Sequence, residues 1–267
     1  MNFIMPKKSL GQNFLIDKNI INKIVKIGSV DKNKTVLEIG PGYGNLTEKI
    51  LSMNPKQLVA IEKDIRLSEI LKKKFKNYGN IKIINEDILN IITHRNIGKN
   101  VIVFGNLPYN ISTKILTSLM LVDKWPPCFT ILIFMFQKEV AERIIAKINT
   151  KEFGRLSILC NWRMKIKKHF DVSKNCFLPK PKINSSVLSF TPKENIRFHI
   201  KDPKYLEKVT RILFSNRRKM INKNFSKLFK NSTSVARELN INLKQRPEEL
   251  NCETFYNIAI KYEKLFS

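Results

Sequence analysis

Asn106-Leu107-Pro108-Tyr109 brings together residue types suited to holding a flat ring that carries an amine. The Asn side-chain carbonyl and the backbone carbonyl of Leu107 can accept hydrogen bonds from an exocyclic amine, and the Tyr face can stack on the ring. Pro108 removes one backbone donor and fixes φ, so the turn keeps its carbonyls pointing one way. The four residues follow Val101-Ile102-Val103-Phe104, an apolar run that reads as a buried strand. A polar amide, a proline and an aromatic at the open end of a core strand make poor packing but a good clamp. The plainer alternative is a proline-stabilised loop around a buried Asn.

A second constellation lies upstream. Glu38-Ile39-Gly40-Pro41-Gly42-Tyr43-Gly44 follows a strand and opens a helix. Gly40 and Gly42 permit a tight turn and close approach of backbone to a ligand. The spacing is G-x-G-x-G after an acid, unlike the dinucleotide pattern G-x-G-x-x-G. Glu62 closes the next strand, where a carboxylate accepts both hydroxyls of a ribose. Glu86-Asp87 follows the third strand, with Asp87 placed to accept from an adenine amine. Each acid alone reads as a solvated strand end. Glycine turn, ribose acid and adenine acid in succession form the signature of S-adenosylmethionine binding.

The two constellations together imply methyl transfer to a base. The amine of adenine is conjugated with its ring and is weakly nucleophilic. Accepting its hydrogens on carbonyl oxygens draws the nitrogen toward tetrahedral geometry, and in-line approach to the sulfonium at about 3 Å then suffices. The expected catalytic set is Asn106, Leu107, Pro108 and Tyr109, with Phe177 of Phe177-Leu178-Pro179-Lys180-Pro181-Lys182 stacking on the opposite face of a flipped base. A core Phe before a proline loop is the alternative for Phe177. Arg155 in Gly154-Arg155-Leu156-Ser157 reaches a phosphate or is an ordinary surface Arg.

These residues need a scaffold. Strand-like and helix-like segments alternate from about residue 20 to 150: helix 20–27, strand 35–39, helix 45–53, strand 57–61, a charged helix to 76, strands 81–84 and 101–104, helix 112–121 with Ser112 as cap, strand 131–136, helix 138–148. This rhythm predicts a mostly parallel, doubly wound sheet. Segments 156–167 and 185–190 read as later, more antiparallel strands. Polar residues 192–202 form a linker, Asp202-Pro203 starts a helix, and Leu206, Val209, Ile212 and Leu213 recur at helical spacing. The expected domains are 1–192 and 193–267.

Composition sets the partner. Across 267 residues Lys and Arg number 49 against 22 Asp and Glu, a formal charge of +27. That points to a polyanion, nucleic acid before an anionic membrane. A Lys-, Asn- and Ile-rich genome accounts for part of the excess. It does not account for residues 204–230, where Glu207 stands alone among Lys204, Lys208, Arg211, Arg217, Arg218, Lys219, Lys223, Lys227 and Lys230. Four scattered cysteines with no C-x-x-C pair suit neither a disulfide framework nor a zinc site, so a reducing cytoplasm is the expected setting. No secretory pattern opens the chain, and the longest apolar run, 130–136, is too short to span a bilayer.

At these motifs the chain resembles the ribosomal RNA adenine dimethyltransferases, in particular the bacterial type that modifies small-subunit rRNA. The likeness begins at Lys7-Lys8-Ser9-Leu10-Gly11-Gln12-Asn13-Phe14-Leu15. It runs through the glycine loop, the clamp, Gln137-Lys138-Glu139-Val140, Gly154 to Ser157 and Phe177 to Ser185, as far as Leu213-Phe214-Ser215-Asn216-Arg217-Arg218-Lys219. It implies a Rossmann-like class I methyltransferase domain, with a mostly parallel seven-stranded sheet, followed by a small all-helical C-terminal domain that touches RNA. It implies cofactor contacts at Asn13, Leu15, Gly40, Gly42, Glu62, Asp87 and Asn106, the first two of which residue types alone leave as a structural turn. The basic helix Arg217-Arg218-Lys219, with Arg155, is expected on RNA phosphates. The implied activity is four methyl transfers, two on each of two adjacent adenosines near the 3′ end of 16S rRNA. The implied partner is the small ribosomal subunit, with no membrane, no metal and a monomeric enzyme. Three alternatives stay open: the related large-subunit dimethyltransferase of macrolide resistance, a mainly non-catalytic ribosome-assembly factor, and a DNA adenine methyltransferase. The last would carry Asp in place of Asn106 and a larger recognition domain.

Overall fold

The sequences TVLEI, QLVAIE, VIVFGN and FTILIFMFQ are apolar at nearly consecutive positions, a run that a short strand covered on both faces buries. The computed structural model, which describes residues 11–91, 99–122 and 124–266, places them at the centre of one sheet. The first four residues of the N-terminal motif, Lys7 to Leu10, lie outside the described residues.

In chain order the elements are β1 (Phe14–Leu15), α1 (Lys18–Gly28), β2 (Thr35–Ile39), α2 (Asn45–Ser52), β3 (Gln57–Glu62), α3 (Ile65–Lys74) and β4 (Ile81–Asn85). Then come α4 (Ile88–Ile91), β5 (Val101–Asn106), α5 (Ser112–Met120), β6 (Phe129–Gln137), α6 (Lys138–Ile145), α7 (Arg155–Arg163) and β7 (Met164–Val172). The chain ends with β8 (Phe177–Leu178), β9 (Ser185–Pro192), α8 (Pro203–Leu213), α9 (Asn222–Ser226), α10 (Ser232–Glu238) and α11 (Cys252–Phe266). The seven-stranded sheet has the order β4-β3-β2-β5-β6-β9-β7. Pairings β4·β3, β3·β2, β2·β5 and β5·β6 are parallel, and β6·β9 is antiparallel. This is the Rossmann-like class I methyltransferase sheet. From β2 the chain winds outward through β3 and β4, then returns to start again at β5. The reversal between β2 and β5 opens a crevice at their carboxyl ends, where open α/β sheets bind ligands.

Side-chain caps set several helix starts. Asp17 accepts from the amides of Asn19 and Ile20, Asp64 from Arg66, and Asp202 from Lys204 ahead of Pro203. Ser112 is not a cap. It is the first residue of α5, and its hydroxyl donates to the Tyr109 carbonyl at 3.2 Å.

Segment 156–167 is not a strand. It divides into α7 and the start of β7. The Ser157 hydroxyl accepts the Gly154 N–H at 2.9 Å and donates to the Gly154 carbonyl at 2.8 Å, which starts the helix. Ile158, Leu159, Cys160 and Trp162 are all buried, so no polar stripe marks the helical period.

The chain forms two compact units. One holds the residues up to Leu119 with Pro126–Ala141 and Ile166–Pro192, and contains the sheet strands around Ile102, Phe104 and Ile133. The other comprises Met120–Trp125, Glu142–Lys165 and Lys193 onward. It therefore does not consist of residues 193–267 alone. Ile158, Leu159 and Trp162 share a core with Leu206, Val209, Phe225 and Phe255, and that apolar contact draws α7 into the helical unit. Among the described residues, no helix is long and apolar enough to cross a membrane.

Candidate active site

Strands β2, β3, β4 and β5 end around one cavity. Its lining includes Glu38, Gly40, Gly42, Glu62, Lys63, Asp87 and the whole Asn106–Tyr109 clamp. It also includes Asn13 and Leu15 from the N-terminal segment. Residues from five separate stretches of sequence thus meet at the topological switch.

The glycine turn is built from β2 outward. Gly40 has φ +68°, donates its N–H to the Ile61 carbonyl at 2.9 Å, and a Cβ there would meet nothing nearer than the Asn106 carbonyl at 3.9 Å. Its missing side chain leaves open space on the cavity side. Gly42 is tighter: φ is +60°, and a Cβ would fall 2.6 Å from the Phe14 ring. Phe14 stands edge-on to Tyr43 with ring centres 4.6 Å apart, so the N-terminal segment roofs the turn.

Two amides pin that segment. Asn45 Nδ2 donates to the Leu15 carbonyl at 2.8 Å and Asn106 Nδ2 to the Asn13 carbonyl at 2.9 Å. Sequence reasoning did not single out Asn45; an Asn beside a glycine carries no signal that it will reach a strand thirty residues back. At the other edge β1 pairs with β8, Phe14 opposite Leu178 and Leu15 opposite Phe177.

The carboxylates differ in state. Glu62 is buried, and burial is the largest influence, raising its pKa. Its two oxygens accept from Gly42 N at 3.1 Å and Asp64 N at 2.9 Å, which opposes that rise. Glu38, 1 % exposed, is pushed up to about 8 by burial, against the hydrogen bond that Thr47 Oγ1 donates at 2.7 Å. Glu38 is therefore largely protonated at neutral pH. Asp64 is held down at about 2, chiefly by Arg66, whose Nε and a terminal nitrogen donate at 3.0 and 2.6 Å. Asp87 carries an ion pair with Lys63 at 2.8 Å.

In the clamp, the bond from Nδ2 to Asn13 fixes the Asn106 amide and leaves Oδ1 to accept. The Leu107 side chain is buried, so only its backbone is available to a ligand. The Tyr109 hydroxyl pairs with Ser185 Oγ at 2.7 Å, which anchors the ring to the start of β9. Burial raises the Tyr109 pKa, so the phenol stays neutral.

Phe177 is not brought to the clamp. It is 2 % exposed and packs in the sheet core with Leu15, Ile24 and Val187. An aromatic next to a proline loop carries no sign of which way it faces, and here β8 turns it inward. The basic residues divide similarly. Arg217 Nε pairs with Glu248 at 2.8 Å, and its NH2 donates to the Thr150 carbonyl at 3.3 Å. Arg155 lies 3.8 Å from Glu207. Arg218 and Lys219 are exposed, in a turn between the 3-10 segment Phe214–Asn216 and α9 rather than in a helix. Among the described residues, no group of three or more His, Cys, Asp or Glu side chains gathers around a metal position.

Residues 5–264 match the model of the ribosomal RNA adenine dimethylase family. The chain belongs to the ribosomal RNA adenine dimethylase family. It is 50% identical over 263 residues to a Pelagibacter ubique protein named ribosomal RNA small subunit methyltransferase A, covering 98% of this chain and 99% of the relative. A protein of the same name from a Drosophila simulans Wolbachia is 40% identical, covering 98% of this chain and 96% of the relative. Among solved structures, a Plasmodium falciparum dimethyladenosine transferase superimposes with a TM-score of 0.76 at 26% identity, covering 94% of this chain and 98% of that one. The 23S rRNA methyltransferase ErmE shares the fold, with a TM-score of 0.67 at 20% identity and coverage of 95% and 100%.

The cavity fits the donor of a dimethylase in this family, S-adenosylmethionine. The open face of Gly40 leaves room against the backbone, and the carboxylates at the ends of β3 and β4 offer the cavity the hydrogen-bond acceptors that a nucleoside's hydroxyls and amine require.

Proposed function

We propose that the protein dimethylates the exocyclic amines of two adjacent adenosines near the 3′ end of small-subunit (16S) rRNA, in the cytoplasm, during small-subunit biogenesis. The observation that carries this is the Asn106 amide. It is locked by Asn13, at the rim of a cavity whose carboxylates suit a nucleoside, in a chain that matches small-subunit methyltransferases along nearly its full length.

Bound S-adenosylmethionine supplies an electrophilic methyl group on a sulfonium. The chain's own groups do the rest. Glu62 and Asp87 receive the ribose and purine, Gly40 gives room, and Asn13 and Leu15 close the cavity from above. Asn106 Oδ1 and the Leu107 carbonyl accept the two amine hydrogens of the target adenosine and direct its nitrogen lone pair at the methyl group. Tyr109, fixed through Ser185, stacks on the base. Pro108 holds the turn. A monomethylated amine still offers one hydrogen to this pair of acceptors, so the same clamp serves the second transfer. Arg218 and Lys219 supply phosphate contacts from the helical unit.

The test is labelled transfer. Small subunits from cells lacking the gene, incubated with the protein and methyl-labelled S-adenosylmethionine, should gain four methyl groups per particle, recovered as dimethyladenosine in 16S rRNA. Label found on protein-free 23S rRNA alone would reverse the choice of substrate.

A further inference from the structure

Lys63 follows Glu62 in the chain and lines the same cavity as the two carboxylates assigned to the nucleoside. Its ammonium lies 2.8 Å from Asp87 Oδ2. The other Asp87 oxygen, Oδ1, accepts the Leu89 N–H at 3.0 Å. A carboxylate bound through one oxygen swings about its Cβ–Cγ bond; one bound at both keeps its plane. Each oxygen has two acceptor positions, so both still accept after these bonds form.

The lysine is itself anchored. Asn85 Nδ2, at the end of β4, donates to the Glu62 carbonyl at 2.8 Å and to the Lys63 carbonyl at 3.2 Å. That fork ties the ends of β3 and β4 together where Lys63 leaves the sheet. Burial pushes the Asp87 carboxyl up, but Lys63 and the Leu89 N–H outweigh it and hold the group below the usual range. Lys63 is 57 % exposed on its side chain, and an exposed ion pair adds little stability. Its effect is therefore one of geometry rather than of folding energy.

We infer that Lys63 is a positioning residue: by fixing the plane of the Asp87 carboxylate it sets the preference of the cavity for a 6-amino purine over a 6-oxo purine. A 6-amino group donates to the fixed oxygens. A 6-oxo group presents an acceptor to an acceptor. The inference rests on reading the cavity as the donor's nucleoside site.

Calorimetric titration of the whole protein with S-adenosylhomocysteine and with S-inosylhomocysteine tests it. Wild-type protein should prefer the amino compound by about tenfold or more, the worth of a hydrogen bond to a charged group. In Lys63→Met the preference should shrink by about threefold or more, mainly through weaker binding of the amino compound, with the melting temperature unchanged. Lys63→Arg should restore most of it. An unchanged or larger ratio in Lys63→Met overturns the inference, including the case in which both compounds weaken equally. Failure of wild-type protein to bind either compound would instead overturn the nucleoside reading of the cavity.

Discussion

Asn106 donates its side-chain N–H to the carbonyl of Asn13 at 2.9 Å, across 93 positions of sequence. One amide therefore does two jobs on its two sides. The nitrogen holds the segment that roofs the glycine turn, and the oxygen is left to accept, on the proposed function from the target base. Asn106→Ala should lower the rate of methyl transfer on the order of 10²-fold, as for loss of a preorganised polar group at a reacting centre. It should weaken S-adenosylhomocysteine only a few-fold, because Asn45 still holds Leu15. Single-turnover transfer and calorimetry measure the two effects separately. Near-normal turnover would remove the clamp from the mechanism.

Glu62 lines the cavity, where the proposed function has it receive a ribose, and it also accepts two buried N–H groups, from Gly42 and Asp64. Glu62→Ala leaves both without a partner, at a cost of roughly 1–3 kcal/mol each. The variant should therefore melt lower as well as lose the donor. A variant that loses binding with an unchanged melting temperature would show that those backbone bonds contribute nothing.

Glu38 makes stability depend on pH in a definite direction. Its pKa is raised from 4.5 to about 8, so between those values the folded chain holds a proton that the unfolded chain releases. Its contribution is full below pH 4.5 and is lost as pH rises through 8, at about 1.4 kcal/mol per unit. Glu38→Gln keeps an acceptor for Thr47 without the titration. Urea midpoints should show the variant gaining on wild type from pH 5 to pH 8. A constant difference across that range would mean that Glu38 is ionised throughout.

The basic turn separates into a paired residue, Arg217, and two exposed ones, Arg218 and Lys219, which the proposed function puts on RNA. Arg217→Ala removes the partner of Glu248 and should lower stability. Replacing Arg218 and Lys219 with Ala should leave the melting temperature unchanged and reduce the slope of log affinity for rRNA against log salt by roughly 1–2. An unchanged slope would place the RNA on another face.

The sheet was legible because β2, β3, β5 and β6 are apolar runs between glycine and charged punctuation, and burial on both faces writes itself as such a run. That Gly40, Glu62, Asp87 and the clamp would gather at one cavity was legible because each stands at or just past the end of a strand. α7 was not, because a helix buried on all sides has no period to read. The inward turn of Phe177 and the pairing of Arg217 with Glu248 depend on contacts with distant segments, which local sequence does not carry. Lys63 looked like one more lysine in a lysine-rich chain until β4 placed Asp87 beside it.

The pairing of Phe14–Leu15 with Phe177–Leu178 carries a consequence for biosynthesis. Asp17 and Cys176, which flank that ribbon, are 159 positions apart. At about 5–20 residues synthesised per second, the early strand waits roughly 10–30 s for its mate to emerge. Until then the roof over the glycine turn has no outer edge. The ribbon at the rim of the cavity thus closes only once most of the sheet has been translated, and until then the Asn45 and Asn106 amides alone hold the early strand in place.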